Sequence, residues 1–129
     1  MKAKKSLGQH FLRSTRALAT IIDAGDLKMD DVILEIGPGE GVLTNKLLVA
    51  SGQVLAIEKD DELFEMSKIK FESEIREKKL ILIHDDILEF DLSKLKAESY
   101  KLVANIPYNI TGAILEKFLS TDHQPEKMV

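Results

Sequence analysis

Val32-Ile33-Leu34-Glu35-Ile36-Gly37-Pro38-Gly39-Glu40-Gly41 is the stretch on which the fold turns. Its first half is a short apolar run with β-branched residues, the composition of a strand buried on both faces. Its second half breaks that strand with three glycines and a proline. Glycine tolerates positive φ and lets backbone approach a ligand closely. A helix is expected directly afterwards, from about 41 to 50, with Val42, Leu43, Leu47 and Leu48 inward and Ser51-Gly52 stopping it. The spacing is G-x-G-x-G, not the G-x-G-x-x-G of nicotinamide and flavin binders. Glu40 also stands where a pyrophosphate on the helix N-terminus would sit, which disfavours a phosphate ligand. An ordinary tight turn can have the same composition. The strand before it and the helix after it are what favour a ligand site.

Working outward, Ser14 or Thr15 can cap a helix whose apolar residues Ala17, Leu18, Ile21 and Ile22 recur at three-to-four spacing, with Gly25 ending it. Further strands are expected at Val54–Glu58, Leu80–Ile83 and Tyr100–Asn105. Helices are expected from Asp60 to about Ser73 and from Asn109 to Leu119, the latter with Ile110, Ala113, Ile114 and Phe118 on one face. Strands alternating with helices imply crossover connections, hence an α/β fold with a parallel sheet and helices on both faces. Glu126–Val129 resembles another strand just beginning. A sheet that stopped after the fourth strand would keep an unprotected edge, so the chain reads as the front part of a longer protein.

Composition sets the bounds. The chain has 129 residues, 44% apolar and 31% charged, which suits one soluble globular domain. No apolar run approaches the ~18 residues of a membrane span. The absence of cysteine excludes disulfides, thiolate zinc sites and cysteine nucleophiles. The N-terminus lacks the apolar stretch of a secretory signal, so a cytoplasmic address is expected. Net charge is −4, but it is unevenly spread. Lys2, Lys4, Lys5, Arg13 and Arg16 are the only charged side chains among residues 1–16, whereas all 22 acids lie beyond them. A basic arm on an acidic body can touch phosphates locally.

Ligands of parallel sheets gather beyond the carboxyl ends of the strands. The polar signals of this sequence sit there. Glu58, 21 residues beyond Gly37, can accept hydrogen bonds from both hydroxyls of a ribose and would repel a 2′-phosphate. In Asp85-Asp86-Ile87 one acid can accept from an adenine amino group while Ile87 packs on the ring; a turn cap or solvated loop fits the same residues. Asn105-Ile106-Pro107-Tyr108 offers an amide acceptor, a turn without a donor and a flat ring. That set suits a planar base with an exocyclic amine, and also a plain X-Pro turn with a partly buried tyrosine. His84 and His123 form no metal set with nearby acids; no metal is expected.

Together, Lys5-Ser6-Leu7-Gly8-Gln9-His10-Phe11-Leu12, Glu35 to Thr44, Glu58, Asp86 and Asn105 to Tyr108 resemble the S-adenosylmethionine-dependent ribosomal RNA adenine N6-dimethyltransferases. The resemblance covers essentially the whole chain. Its arm and its Asn-Ile-Pro-Tyr turn are specific, while the glycine turn is shared by many methyltransferases. The arm is more similar to the small-subunit branch, which dimethylates two adjacent adenines near the 3′ end of that RNA, than to the large-subunit antibiotic-resistance branch. The resemblance implies a Rossmann-like methyltransferase fold, with a basic arm at 1–13 and a cofactor-binding core at 14–129. Gly37 and Gly39 then approach the methionine part of S-adenosylmethionine, and Glu58 holds its ribose. Asp86 and Ile87 flank its adenine, and His10 and Leu12 close over it from the arm.

Asn105 then lies between the cofactor and the target amine, Pro107 fixes the turn, and Tyr108 stacks on the target adenine. The family usually carries Asn at position 10; His10 makes a pH-dependent cofactor affinity expected. The implied partner is ribosomal RNA in a small-subunit precursor, met by a monomer with no membrane or metal. Further strands, another base-clamping aromatic and a small helical RNA-binding domain are implied beyond residue 129. Three other readings stay open at this point: a large-subunit methylase, a non-catalytic RNA-binding or ribosome-assembly factor on the same fold, and a DNA adenine methylase. Ile106 and the 8–12 arm speak against the last. A nicotinamide oxidoreductase is disfavoured by the glycine spacing.

Overall fold

A computed structural model describes residues 15–104 and 108–129, with side chains described for residues 20–104 and 111–129. In chain order the elements are α1 (Thr15–Gly25), β1 (Val32–Ile36), α2 (Val42–Ala50), β2 (Gln53–Glu58), α3 (Asp61–Lys70) and α4 (Glu72–Arg76). There follow β3 (Leu80–His84), a 3₁₀ turn (Leu92–Lys94), β4 (Lys101–Ala104), α5 (Tyr108–Leu119) and β5 (Lys127–Met128). All strand pairings are parallel and the order is β3-β2-β1-β4-β5. From β1 the chain builds outward to β3, then crosses back to place β4 on the other side of β1. The strand order therefore reverses between β1 and β4, which is where open α/β sheets bind ligands. Ile36 pairs with both Ile57 and Ala104 at that end of the sheet.

Alternation along β1 explains the two layers of core. Ile33 faces a cluster with Leu43, Leu47, Val54, Ala56, Phe71, Leu80 and Val103, against which Ile21, Ile22 and Ile75 pack. Leu34 and Ile36 face the other cluster, with Ile57, Phe90, Leu95, Tyr100, Ile114 and Phe118. Each fully buried side chain of this size contributes about 1.5–3 kcal/mol. Truncating Leu34, which has no exposed surface, should cost roughly 2–5 kcal/mol.

Three expectations are corrected. The helix foreseen from Asp60 to about Ser73 is two helices, because Phe71 leaves helical geometry (φ −108°, ψ 29°) and turns its ring into the core. The strand foreseen at Tyr100–Asn105 begins one residue later, at Lys101, while Asn105 lies outside the described residues; the Tyr100 hydroxyl donates to the His123 carbonyl (2.7 Å) and its ring belongs to the core. The sheet does not stop at four strands. Lys127 and Met128 pair with Lys101 and Leu102, and Val129 extends the contact through its carbonyl to the Ala104 N–H.

The amino ends of the strands carry a structural ion pair. Lys101 Nζ, almost wholly buried, lies 2.8 Å from Asp31 Oδ2 and donates to the Asp26 carbonyl at 2.7 Å. Burial raises the Asp31 carboxyl, but the Lys101 hydrogen bond and charge outweigh it and hold the group below its ordinary value. This pair is far from the carboxyl ends where the ligand signals lie.

Candidate functional site

The turn after β1 takes its shape from its glycines. Gly37, Gly39 and Gly41 have φ of 69°, 59° and 87°, a region that other residues enter only with strain. The Gly41 N–H donates to the Pro38 carbonyl at 2.9 Å, closing the turn, and the Gly37 N–H donates to the Ile57 carbonyl at 3.0 Å, tying it to β2. Gly41 is also sterically required. A Cβ there would lie 2.7 Å from the Phe71 ring. Lys70, with its ammonium 5.4 Å from the centre of the same ring, donates to the Glu40 carbonyl at 2.8 Å.

Glu58 joins this turn to the end of β2. Its Oε1 accepts from the Gly39 N–H at 3.1 Å and its Oε2 from the Asp60 N–H at 2.9 Å. Glu58 is 5% exposed. A carboxylate has about four acceptor positions, so two remain for hydroxyl donors. Asp60 in turn caps α3 by accepting from the Leu63 N–H (2.9 Å), which fixes the chain direction after β2.

Beneath the turn lies Glu35, with no exposed surface. Thr44 Oγ1 donates to its Oε1 at 2.6 Å, while Oε2 is buried with no partner. Burial pushes its carboxyl up to about 7; the Thr44 hydrogen bond works against this and the Glu58 charge adds to it.

The turn after β3 is built differently. The Asp85 N–H donates to the Glu58 carbonyl (3.1 Å), setting this turn beside the end of β2. Asp85 Oδ1 accepts from the Asp86 N–H at 2.7 Å, and Asp86 Oδ1 from the Leu88 N–H at 3.0 Å. The Asp86 carbonyl accepts from the N–H groups of Glu89 and Phe90, both at 2.9 Å, making one turn of helix. Asp86 Oδ2 lies 3.4 Å from the exposed Lys59 ammonium. Asp86 thus acts as a turn cap, one of the two uses its sequence allowed. Ile87 is 5% exposed and packs into the core with Phe90, so its side chain lines the sheet more than any open surface. At the far end of the turn, Lys117 Nζ of α5 donates to the carbonyls of Ile87 and Phe90. His84 has a structural place: Nε2 lies 2.8 Å from Asp61 Oδ1 and its ring stacks on Phe64 at 4.4 Å.

Of the residues singled out from sequence, Gly37, Gly39 and Glu58 are brought together directly, and Asp86 is set one strand over from Glu58. His10, Leu12, Asn105 and Pro107 lie outside the described residues, as does the side chain of Tyr108, the first residue of α5. Lys70, Lys117 and the Glu35–Thr44 pair were not foreseen as parts of this region. A polar hollow at the amino ends of the strands, lined by Lys28, Asp31, Ser99, Lys101 and Glu126, is remote from all of them. Among the described residues no helix is long and apolar enough to cross a membrane, and no group of three or more His, Asp or Glu is placed to hold a metal.

A parallel sheet with a glycine turn at its switch point and a buried acid ending the neighbouring strand is a Rossmann-like arrangement, and the solved structures it matches make it the Rossmann-like methyltransferase fold. The chain is similar in structure to the 23S rRNA methyltransferase ErmE (TM-score 0.78, 30% identity, 92% of this chain and 46% of that one). It is also similar to a dimethyladenosine transferase from Plasmodium falciparum (TM-score 0.71, 28% identity, 87% of this chain and 39% of that one). The family model for ribosomal RNA adenine dimethylase matches residues 1–129, and the chain belongs to that family. Curated relatives include the ribosomal RNA small subunit methyltransferase A of Dehalococcoides mccartyi, 47% identical over all of this chain and 44% of the relative. That of Thermosynechococcus vestitus is 45% identical over 98% of this chain and 46% of the relative. The chain spans less than half the length of these relatives.

Proposed function

We propose that this chain is the cofactor-binding portion of an S-adenosylmethionine-dependent enzyme that dimethylates N6 of two adjacent adenines near the 3′ end of small-subunit ribosomal RNA, in the cytoplasm and during subunit assembly. The observation that carries this reading is the Gly39 N–H held by the Glu58 carboxylate at 3.1 Å. One buried acid joins the glycine turn to the second strand and keeps acceptor positions for a ribose diol. The donor set fits an adenosyl ligand without a 2′-phosphate, since a second anion beside Glu58 would be repelled. The names and identities of the curated relatives favour the small-subunit substrate over the large-subunit one.

S-adenosylmethionine, when bound, supplies an electrophilic methyl group. The target amine is a weak nucleophile because its lone pair is delocalised into the purine ring. Asn105 and the neighbouring carbonyl of Ile106 or Pro107 accept from its N–H bonds and favour a pyramidal nitrogen with a free lone pair. Tyr108 stacks on the extruded base; such stacking is worth ~1–3 kcal/mol and offsets part of the unstacking cost. Pro107 fixes the turn that presents both. His10 and Leu12 close over the cofactor, with Gly37, Gly39, Glu58, Asp86 and Ile87 holding its other parts. The basic arm contacts phosphates with salt-sensitive affinity. The amine proton leaves to water, so the protein's contribution is positioning rather than acid–base chemistry.

Calorimetry with S-adenosylhomocysteine, followed by methyl transfer to precursor small subunits, tests this. Asn105→Ala should lower transfer by at least about 100-fold while cofactor binding persists. Wild-type turnover in that variant would remove Asn105 from the mechanism. A protein that binds no S-adenosylhomocysteine refutes the whole assignment.

A further inference from the structure

The turn at 86–90 is closed by the Glu89 and Phe90 N–H groups on the Asp86 carbonyl, which leaves the later carbonyls to find partners elsewhere. The Ile87 and Phe90 carbonyls both meet one group, the Lys117 ammonium. An ammonium has three donors and can satisfy two carbonyls at once. Here it comes from another element. Lys117 is half-buried on α5, whose next residue, Phe118, has no exposed surface and whose Ile114 is also in the core. The base of the lysine side chain is therefore fixed by packing. Burial holds the Lys117 ammonium below its ordinary value, against the charges of Asp85, Asp86 and Asp91, which favour the protonated form. α5 begins at Tyr108, the residue placed above against the target base.

We propose that Lys117 is a positioning residue for adenine recognition: it clamps the Asp86-Ile87 turn to the helix that starts at Tyr108. This rests on the assignment of Asp86 to the cofactor adenine. Removing the ammonium leaves the Ile87 and Phe90 carbonyls without the donor that now joins them. The turn then loosens, and Asp86 loses its fixed place at the end of β3. Lys117 touches no ligand in this scheme; it acts through the turn.

The test has two arms. The first needs no ligand. In Lys117→Met, which keeps the apolar stem, amide exchange at Glu89 and Phe90 should speed by tenfold or more, while exchange at Gly37 and Gly41 stays unchanged. Lys117→Arg, which can still donate to both carbonyls, should restore slow exchange. Unchanged exchange at residues 89 and 90 in Lys117→Met overturns the clamp. The second arm compares S-adenosylhomocysteine with its inosyl analogue, in which the exocyclic amine is replaced by a carbonyl. Wild type should prefer the adenosyl ligand by tenfold or more. Lys117→Met should lose most of that preference and raise KM for S-adenosylmethionine with kcat nearly unchanged, and Lys117→Arg should regain it. Glu58→Ala should weaken both ligands alike. If exchange speeds in Lys117→Met but the preference persists, Lys117 is only structural and the positioning role falls. If wild type itself shows no preference, the assignment of Asp86 falls with it, while the exchange result still stands for the clamp.

Discussion

The turn after β1 is held from its own backbone outward, whereas the turn after β3 is held at its two ends by side chains. In the first, positive φ at three glycines sets the path, the Phe71 ring fills the space against Gly41, and Glu58 and Lys70 fasten one amide and one carbonyl. In the second, the backbone makes one turn of helix that depends on Asp86 at its start and Lys117 at its end. A turn specified by backbone conformation resists loss of any one neighbour but tolerates no Cβ. A turn specified by side-chain caps tolerates sequence change along its length but depends on a few remote charges.

The largest effect should come from breaking the first turn at its backbone. Gly41→Ala adds a Cβ 2.7 Å from the Phe71 ring at a φ of +87°. Left-handed strain of about 1–2 kcal/mol and overpacking of about 1–3 kcal/mol predict a total loss of roughly 2–5 kcal/mol in urea unfolding. Adding Phe71→Leu should recover part of that loss, since the two sites touch and only the overpacking is relieved. Strict additivity of the two changes would show that the contact is not the cause.

The first turn should also impose a pH dependence, through Glu35 beneath it. The ordinary carboxyl value of 4.5 is raised to about 7 in the fold, so between these values the folded chain holds a proton that the unfolded chain has released. Its contribution to stability is therefore full below about pH 4.5 and is lost as pH rises through about 7, by on the order of 3 kcal/mol. Glu35→Gln should flatten stability between pH 5 and 8, measured by thermal unfolding in a pH series. An unaltered slope in that variant would assign the pH dependence to another group.

Glu58 links the two turns, and its removal should affect both. Glu58→Ala leaves the Gly39 and Asp60 N–H groups without their acceptor, which predicts a loss of about 1–3 kcal/mol together with weaker but measurable S-adenosylhomocysteine binding. Undiminished binding would detach the ribose role from this residue. Glu58 was legible in the sequence because its signal is local: a strand, then an acid, at a set distance from a glycine turn. The same holds for Val32–Ile36 and for Gly37 and Gly39. What the sequence hid was carried by contacts between distant residues. The break at Phe71 follows from its ring meeting Gly41, a contact across 30 positions that no periodicity encodes. Ile87 is 5% exposed and packs with Phe90, a contact that its place beside Asp86 does not encode. Lys70 and Lys117 look like solvated lysines, since a carbonyl partner about 30 residues away leaves no mark on the pattern. β5 is two residues long and exists by pairing with β4, so only its apolar hint was visible.

The smallest effect should have the opposite sign and comes from the element behind the second turn. Gly112 lies within α5, and a Cβ there would meet nothing within 4 Å. Glycine in a helix interior costs about 0.5–1 kcal/mol relative to alanine, from the extra freedom it loses on folding. Gly112→Ala should therefore raise stability by about that amount. The same change of residue would then destabilise at Gly41 and stabilise at Gly112, separating a glycine that the backbone requires from one that the helix merely tolerates. The gain should also slow amide exchange at Glu89 and Phe90, because a firmer α5 holds the Lys117 ammonium more steadily on their turn. A stability gain without that slowing would mean that α5 and the Asp86 turn fluctuate independently, and the contrast between a self-held turn and a remotely held one would lose its second half.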